Sequence, residues 1–232
     1  MNSPNRPTAI VTGASHGLGL ATAKALHERG WSLIIDGRDE AALEAAGDEI
    51  GDAVTAIPGD VSVPAHRLEL IHAAIGAGGL DLLINNASML GPSPQPRLAD
   101  YPLDTLHRVF EVNVMAPLAL IQAAIPLLRH HKGVIVNVTS DAAKEPYEGW
   151  GGYGSSKAAL GQLSNILAAE EPAISVYQYD PGDMNTRMHQ EAFPGEDISD
   201  RRPPVDSVPA LMNLVEDRPP SGSYRFDLVL TR

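Results

Sequence analysis

Residues Thr8–Gly19 read TAIVTGASHGLG, and the division of this stretch decides the fold. Thr8 to Val11 is a short apolar run, Thr12 to Gly19 a glycine turn, and Leu18, Ala21, Thr22, Ala25 and Leu26 then recur at helical spacing as far as Gly30. A strand, a glycine turn and a helix in that order form an anion-binding unit. Free backbone N–H groups and the positive end of the helix dipole meet a pyrophosphate, and glycines let the backbone come close. The spacing is TGxxxGxG rather than the GxGxxG of the better-known dinucleotide fingerprint.

Working outward, Trp31–Ile35 is expected to be the second strand, with Asp36-Gly37-Arg38-Asp39 at its carboxyl end and a helix from Asp39 to Ile50. An acid at such a strand end reads a free ribose 2′-hydroxyl, whereas an arginine accommodates a 2′-phosphate. Both residue types are present; Arg38, with a second contact from His16, favours NADP(H) over NAD(H). Further strands are expected at 53–58, 80–84, 133–139, 174–179 and 224–230, separated by helical patterns at 68–75, 103–131, 153–169 and 208–215. Alternating strands and helices predict a doubly wound, mostly parallel α/β sheet in one domain. The long helix 103–131 should bend at Pro117 and Pro126. Residues 1–7 are expected to be a free arm, and the polar, Pro-rich segment 188–209 a short lid over the substrate.

Composition narrows the function. A chain of 232 residues with 44% hydrophobic content can bury one sizeable core, and its formal net charge of −12 argues against nucleic acid or an anionic membrane as partner. It contains no cysteine, so it has neither a disulfide framework nor a thiolate site, which is compatible with the cytoplasm. The apolar run 114–128 contains Pro117, Gln122 and Pro126 and reads as a buried helix rather than a membrane span. The eight histidines include no HExxH-like ligand set, so no metal is expected.

The chemistry is concentrated in Ser140 and the residues after it, DAAKEPYEGWGGYGSSK from Asp141 to Lys157. Tyr153 and Lys157 stand four residues apart at a helix start, on one face, where an ammonium can lower the pKa of a phenol. Tyr147 and Trp150, aromatic residues in a Gly-rich loop, are candidates for the substrate pocket wall.

Together, TGASHGLG at 12–19, Asp60-Val61, Asn85-Asn86-Ala87, Asn113, Ser140, Tyr153-x-x-x-Lys157 and Pro181-Gly182 through Thr186 resemble the short-chain dehydrogenase/reductase family over nearly the whole chain. The resemblance implies a Rossmann-fold oxidoreductase that interconverts a small or medium carbonyl compound and its alcohol by hydride transfer. Tyr153 would be the acid or base, Lys157 would hold the nicotinamide ribose and depress the phenol pKa, Ser140 would bind the substrate oxygen, and Asn113 would hold a relay water. Gly13, Ser15, His16, Gly17, Leu18 and Gly19 would form the pyrophosphate turn. Asp60 and Val61 would meet the adenine, Asn86 and Ala87 the adjoining ribose, and Pro181, Gly182 and Thr186 the nicotinamide. The same scaffold would also suit a lyase or epimerase using Tyr153 without net redox, or a non-catalytic dinucleotide sensor.

Three features depart from the family pattern: Ser88 replaces the glycine of NNAG, the segment after Thr186 is short, and the C-terminus lacks the family's Gly-Gly tail. The expected assembly is a homodimer rather than a tetramer.

Overall fold

The computed structural model describes residues 6–229, without the side chains of 228 and 229. Seven strands form one parallel sheet in the order β3-β2-β1-β4-β5-β6-β7. They are β1 (Thr8–Val11), β2 (Ser32–Gly37), β3 (Val54–Pro58), β4 (Leu82–Asn85), β5 (Val134–Val138), β6 (Ser175–Asp180) and β7 (Gly222–Arg225). Val11 pairs with Ile35 on one side and Ile84 on the other, so the strand order reverses at β1 and a crevice opens beyond its carboxyl end.

Helices cover both faces. α1 (Gly17–Glu28), α2 (Glu40–Ile50) and, late in the chain, α8 (Val208–Asp217) pack on one side; α3 (Pro64–Gly76), α5 (Ala116–His131) and α6 (Gly151–Glu170) pack on the other. The strands alternate accordingly: Ala9 and Val11 join Leu26 and Leu211, whereas Ile10 joins Leu70 and Leu120. Fully covered parallel strands need apolar residues on both faces, which is why β1, β4 and β5 read as continuous apolar runs.

The long helix departs from expectation in where it yields. From Leu103 to His131 it is continuous, and between α4 (Leu103–Phe110) and α5 it widens into a π-turn at Glu111–Met115. Pro117 stands at the start of α5, where the wide turn accommodates its missing N–H, and Pro126 lies within α5 without ending it. This helix is long and apolar enough to cross a membrane by length and composition, but half of its most apolar window is buried inside the fold.

At the termini, Pro7 already belongs to the sheet region, its carbonyl accepting from Ser32 N–H at 2.9 Å, while residues 1–5 of the expected arm lie outside the described residues. The last strand is displaced from the expected 224–230. It runs from Gly222 to Arg225, and the chain then turns into the short helix α9 (Phe226–Val229). Phe226 leaves the strand path to stack against the Arg202 guanidinium, 3.4 Å from the ring centre. Leu230 lies outside the described residues.

The expected lid is two different structures. α7 (Arg187–Ala192) opens it, and Met188 and Ala192 pack toward Trp150 and Tyr153. Its second half is tied to the core: the buried Ser207 donates to Pro181 O at 2.8 Å, and the Tyr179 hydroxyl donates to Ser207 O.

Candidate active site

The crevice begins at the glycine turn. Gly13 and Gly17 take positive φ angles of 65° and 61° that favour glycine, and any side chain at Gly19 would run into Gly13 O and the Asn86 amide. No side chain caps the start of α1, so its first N–H groups remain available to an anion. Thr12, to which the sequence reading gave no separate role, ties the turn to β4. Its hydroxyl accepts from the N–H groups of Asn86 and Ala87, both at 3.0 Å. Asn86 in turn donates its amide to Thr12 O at 2.8 Å and Gly13 O at 3.0 Å, which leaves only the side-chain oxygen for a ribose.

At the end of β2 the two acids are occupied. Asp36 is buried, with one oxygen accepting from Gly13 N–H at 2.6 Å and the other facing His66 Nε2 at 3.1 Å. Burial holds its carboxyl above the usual range, with the His66 and Gly13 bonds acting in the opposite direction. Asp39 caps α2 by accepting from Ala42 N–H at 3.1 Å. Gly37 lies against Ser15, whose hydroxyl would be 3.2 Å from an added Cβ, so no acid projects there. Arg38 and His16 are exposed, and among the described residues Arg38 makes no ion pair. The Asp36–His66 pair escaped the sequence reading because its members lie 30 residues apart in elements with no shared motif.

Asp60 is bound by Ser62 N–H at 2.9 Å, Ser62 Oγ at 2.7 Å and Arg108 Nη2 at 2.6 Å. Its carboxyl lies below the usual range: the Ser62 bonds and the charges of Arg108 and Arg38 outweigh burial, the largest single influence and an opposing one. Val61 packs with Val112, Ala116 and Ala87 beneath the crevice.

β5 and α6 bring the proton-transfer group together. Ser140 follows β5 and caps a 3-10 turn, Asp141–Ala143, which packs on α6. Gly154 permits this close approach, since any side chain there would meet Ala142 O. The Ser140 hydroxyl donates to Asp141 Oδ1 at 3.0 Å and accepts from Ala142 N–H at 3.2 Å. Lys157 is buried, its Nζ donating to Val138 O at 2.8 Å and lying 5.5 Å from the Tyr153 ring centre. Burial lowers its pKa to about 8.

The expected lowering of the Tyr153 pKa by Lys157 is absent here. Burial, followed by the negative charge of Asp180, raises the phenol above its ordinary value, and Asp141 adds to this; the Ser88 hydroxyl acts in the opposite direction. Lys157 makes its hydrogen bond to the Val138 carbonyl and none to the phenol, and burial dominates the phenol. Asn113, expected to hold a water, is fully buried with its side chain saturated. Its oxygen accepts from Ser88 Oγ at 3.1 Å and Met89 N–H at 2.8 Å, and its amide donates to Met89 O and Ser156 Oγ, both at 2.9 Å.

Tyr147 and Trp150 do flank the site. Tyr147 donates to Asp141 Oδ2 at 2.9 Å, and Trp150 lies edge-on to both Tyr147 and Tyr153, with ring centres 6.3 and 5.8 Å away. Thr186 caps α7 and has its methyl 3.7 Å from where a Gly17 Cβ would stand, which closes the crevice between the glycine turn and the segment after β6. Pro181 is buried at its base, and Gly182 has a φ of 67°.

The model of the short chain dehydrogenase family matches residues 7–197. The chain belongs to this family. Among curated relatives, a serine 3-dehydrogenase from Rhizobium radiobacter is 33% identical over 185 residues, 78% of this chain and 73% of its own. A Shigella flexneri structure, assigned to the short chain dehydrogenases and complexed with NADP, superposes with a TM-score of 0.89 at 26% identity, covering 96% of this chain and 98% of the other. An alcohol dehydrogenase from the archaeon Thermococcus sibiricus, complexed with 5-hydroxy-NADP, gives 0.85 at 25% identity, covering 95% of each chain. This short chain dehydrogenase is therefore an oxidoreductase, built on one Rossmann-like parallel sheet.

Proposed function

We propose that the enzyme interconverts a small or medium carbonyl compound and its alcohol with a preference for NADP(H), using Tyr153 as acid and base. The observation that carries this reading is that Lys157 and Tyr153 lie together at the carboxyl end of β5, where Ser140 follows the same strand, while Thr186 reaches the glycine turn. The residues fit a dinucleotide: the uncapped start of α1 and the side-chain-free surfaces at Gly13, Gly17 and Gly19 suit a pyrophosphate. With Asp36 turned inward and Asp39 capping a helix, Arg38 and the neighbouring Ser15 are the groups left to meet a 2′-phosphate. The Shigella and Thermococcus structures, complexed with NADP and 5-hydroxy-NADP, support the same preference.

A bound nicotinamide supplies or accepts the hydride. Ser140 would orient the substrate oxygen while Tyr153 delivers or removes its proton. Lys157 would place its ammonium on the nicotinamide ribose and, once drawn from Val138 O, would favour the phenolate. Asn113 acts by holding the 88–89 segment to α6, and any water relay there would use backbone groups of the π-turn. Trp150 and Tyr147 would form one wall of the substrate site.

The assembly we propose is a homodimer in the cytoplasm, formed through the adjoining surfaces of α4, the π-turn and α6, where Leu103, Met115 and Ile166 are exposed. The functional reading is tested by following NADPH oxidation at 340 nm across a panel of aldehydes and ketones. Turnover that depends on NADPH supports it; tight nucleotide binding with no turnover of any carbonyl or alcohol overturns it.

A further inference from the structure

A cavity of about 320 Å³ opens at the carboxyl ends of β6 and β7, lined by the acids Asp141, Asp180, Asp183 and Asp200 and by the arginines Arg201, Arg202 and Arg225 among others. Asp141 directly follows Ser140 and accepts from its hydroxyl at 3.0 Å, so the cavity lies one residue from the group proposed to orient the substrate oxygen.

Its charges are unevenly partnered. Asp141 accepts from the Ser140 and Tyr147 hydroxyls, two neutral donors that orient the carboxylate without neutralising it. Asp180 is only 6% exposed; one oxygen accepts from Gly182 N–H at 2.9 Å, and the other has no hydrogen-bond partner among the described residues.

The arginines that line the cavity make their direct contacts to other groups, although the charge of Arg225, whose backbone pairs with Asp180 in the β6–β7 register, acts on both carboxylates at longer range. Arg225 grips Asp227 with two contacts of 3.2 and 3.0 Å, and Arg201 holds Asp200 at 2.7 Å. Lys144 reaches Ser223 Oγ at 3.4 Å. Arg202 lies on the Phe226 ring and donates to Pro181 O at 3.1 Å and Asp183 O at 3.4 Å. Among the described residues the Asp183 carboxylate has His189 as its one ion-pair partner, at 3.9 Å. Among the described residues no cation pairs with Asp141 or Asp180.

We propose that this cavity selects a substrate bearing a protonated amine beside the reacting carbon, an amino alcohol or the corresponding amino ketone, with Asp180 and Asp141 receiving the ammonium. The proposal rests on the oxidoreductase reading and specifies its substrate class. A buried carboxylate that has no direct ion pair gains from a ligand that supplies the opposite charge. Burial raises the Asp180 carboxyl above its ordinary range and Asp141 adds to this, while the Gly182 N–H bond and the charge of Arg225 act in the opposite direction. An ammonium fits better than a metal ion, because no group of three His, Cys, Asp or Glu side chains suited to a metal occurs among the described residues. The volume lies at the lower end for ligand sites, in keeping with a small molecule.

The test compares affinities for the enzyme–NADP⁺ complex by calorimetry at pH 7.5, using 1-amino-2-propanol, its neutral isostere 2-butanol and the anion 3-hydroxybutyrate. The expected order of affinity is ammonium, neutral, anion, with at least a tenfold preference between the first two. Asp180→Asn and Asp141→Asn should each reduce that preference several-fold. Equal affinity of the wild-type complex for the amine and its isostere overturns the proposal, as does a preference unchanged in both variants; the wild-type comparison stands if a variant does not fold. Turnover of 2-butanol without any preference for the amine defeats this proposal and leaves the oxidoreductase reading intact. Selective amine binding without oxidation of any alcohol does the reverse.

Discussion

Asn113 donates its side-chain amide to Ser156 Oγ at 2.9 Å, and the Ser156 hydroxyl donates to the Tyr153 backbone carbonyl at 2.7 Å, so the π-turn is linked through two side chains to the helical turn that carries the phenol. Both residues are buried, and Asn113 also holds Met89 by its N–H and its carbonyl. Asn113→Ala leaves these groups unpaired away from water. It should cost at least about 2 kcal/mol, or about 4–8 °C in Tm for a chain of this size. Thermal unfolding checks this, and an unchanged Tm would show that the network is dispensable.

Arg38 is expected to read the 2′-phosphate. Arg38→Ala should weaken NADPH binding by at least about tenfold, the loss of one charge-assisted contact, while changing NADH little. Fluorescence titration of both nucleotides measures the difference. Equal losses would assign Arg38 no part in the choice.

Lys157 gives a pH signature. Burial lowers its folded pKa to about 8, below the 10.5 of a free lysine. Between these values the unfolded chain binds a proton that the folded chain does not, so stability rises with pH across this window. At neutral pH the charged lysine opposes folding, and the penalty is relieved from about pH 8 upward. Urea denaturation at pH 7.5 and 10 should therefore show the wild type gaining stability relative to Lys157→Met. A difference that is flat or opposite in sign would contradict the assignment.

The proposed dimer surface is apolar at Met115 and Ile166. Sedimentation at micromolar concentration should give a dimer, and Ile166→Asp should shift it to monomer. A wild-type monomer would rule the interface out.

The parts of the structure legible in the sequence were those with a local cause. β1 and the glycine turn could be read because an apolar run meets glycines at positions that need positive φ or permit close approach. Asp36 and Asn113 were visible as residue types, but the direction of their side chains was not, since their partners lie 23 to 43 residues away. Ser88 stood out as a departure from the family pattern, and its bond to Asn113 could be seen only in three dimensions. The final strand was misplaced because YRFDLVL alternates well enough for a strand, while Phe226 is drawn off by the Arg202 guanidinium. Helical spacing placed Lys157 and Tyr153 on one face, but it could not show that the ammonium bonds Val138 O or that burial and Asp180 act on the phenol.

Tyr153 is the proposed proton-transfer group on which the chemistry turns. Tyr153→Phe removes one oxygen and retains the ring that packs against Trp150. The decisive measurement is single-turnover NADPH oxidation by this variant, with NADPH affinity titrated in parallel. The account predicts a rate reduced by at least about a thousandfold, within the range for losing a positioned acid, with the NADPH Kd within about threefold of wild type. A rate within tenfold of wild type at unchanged affinity would contradict it.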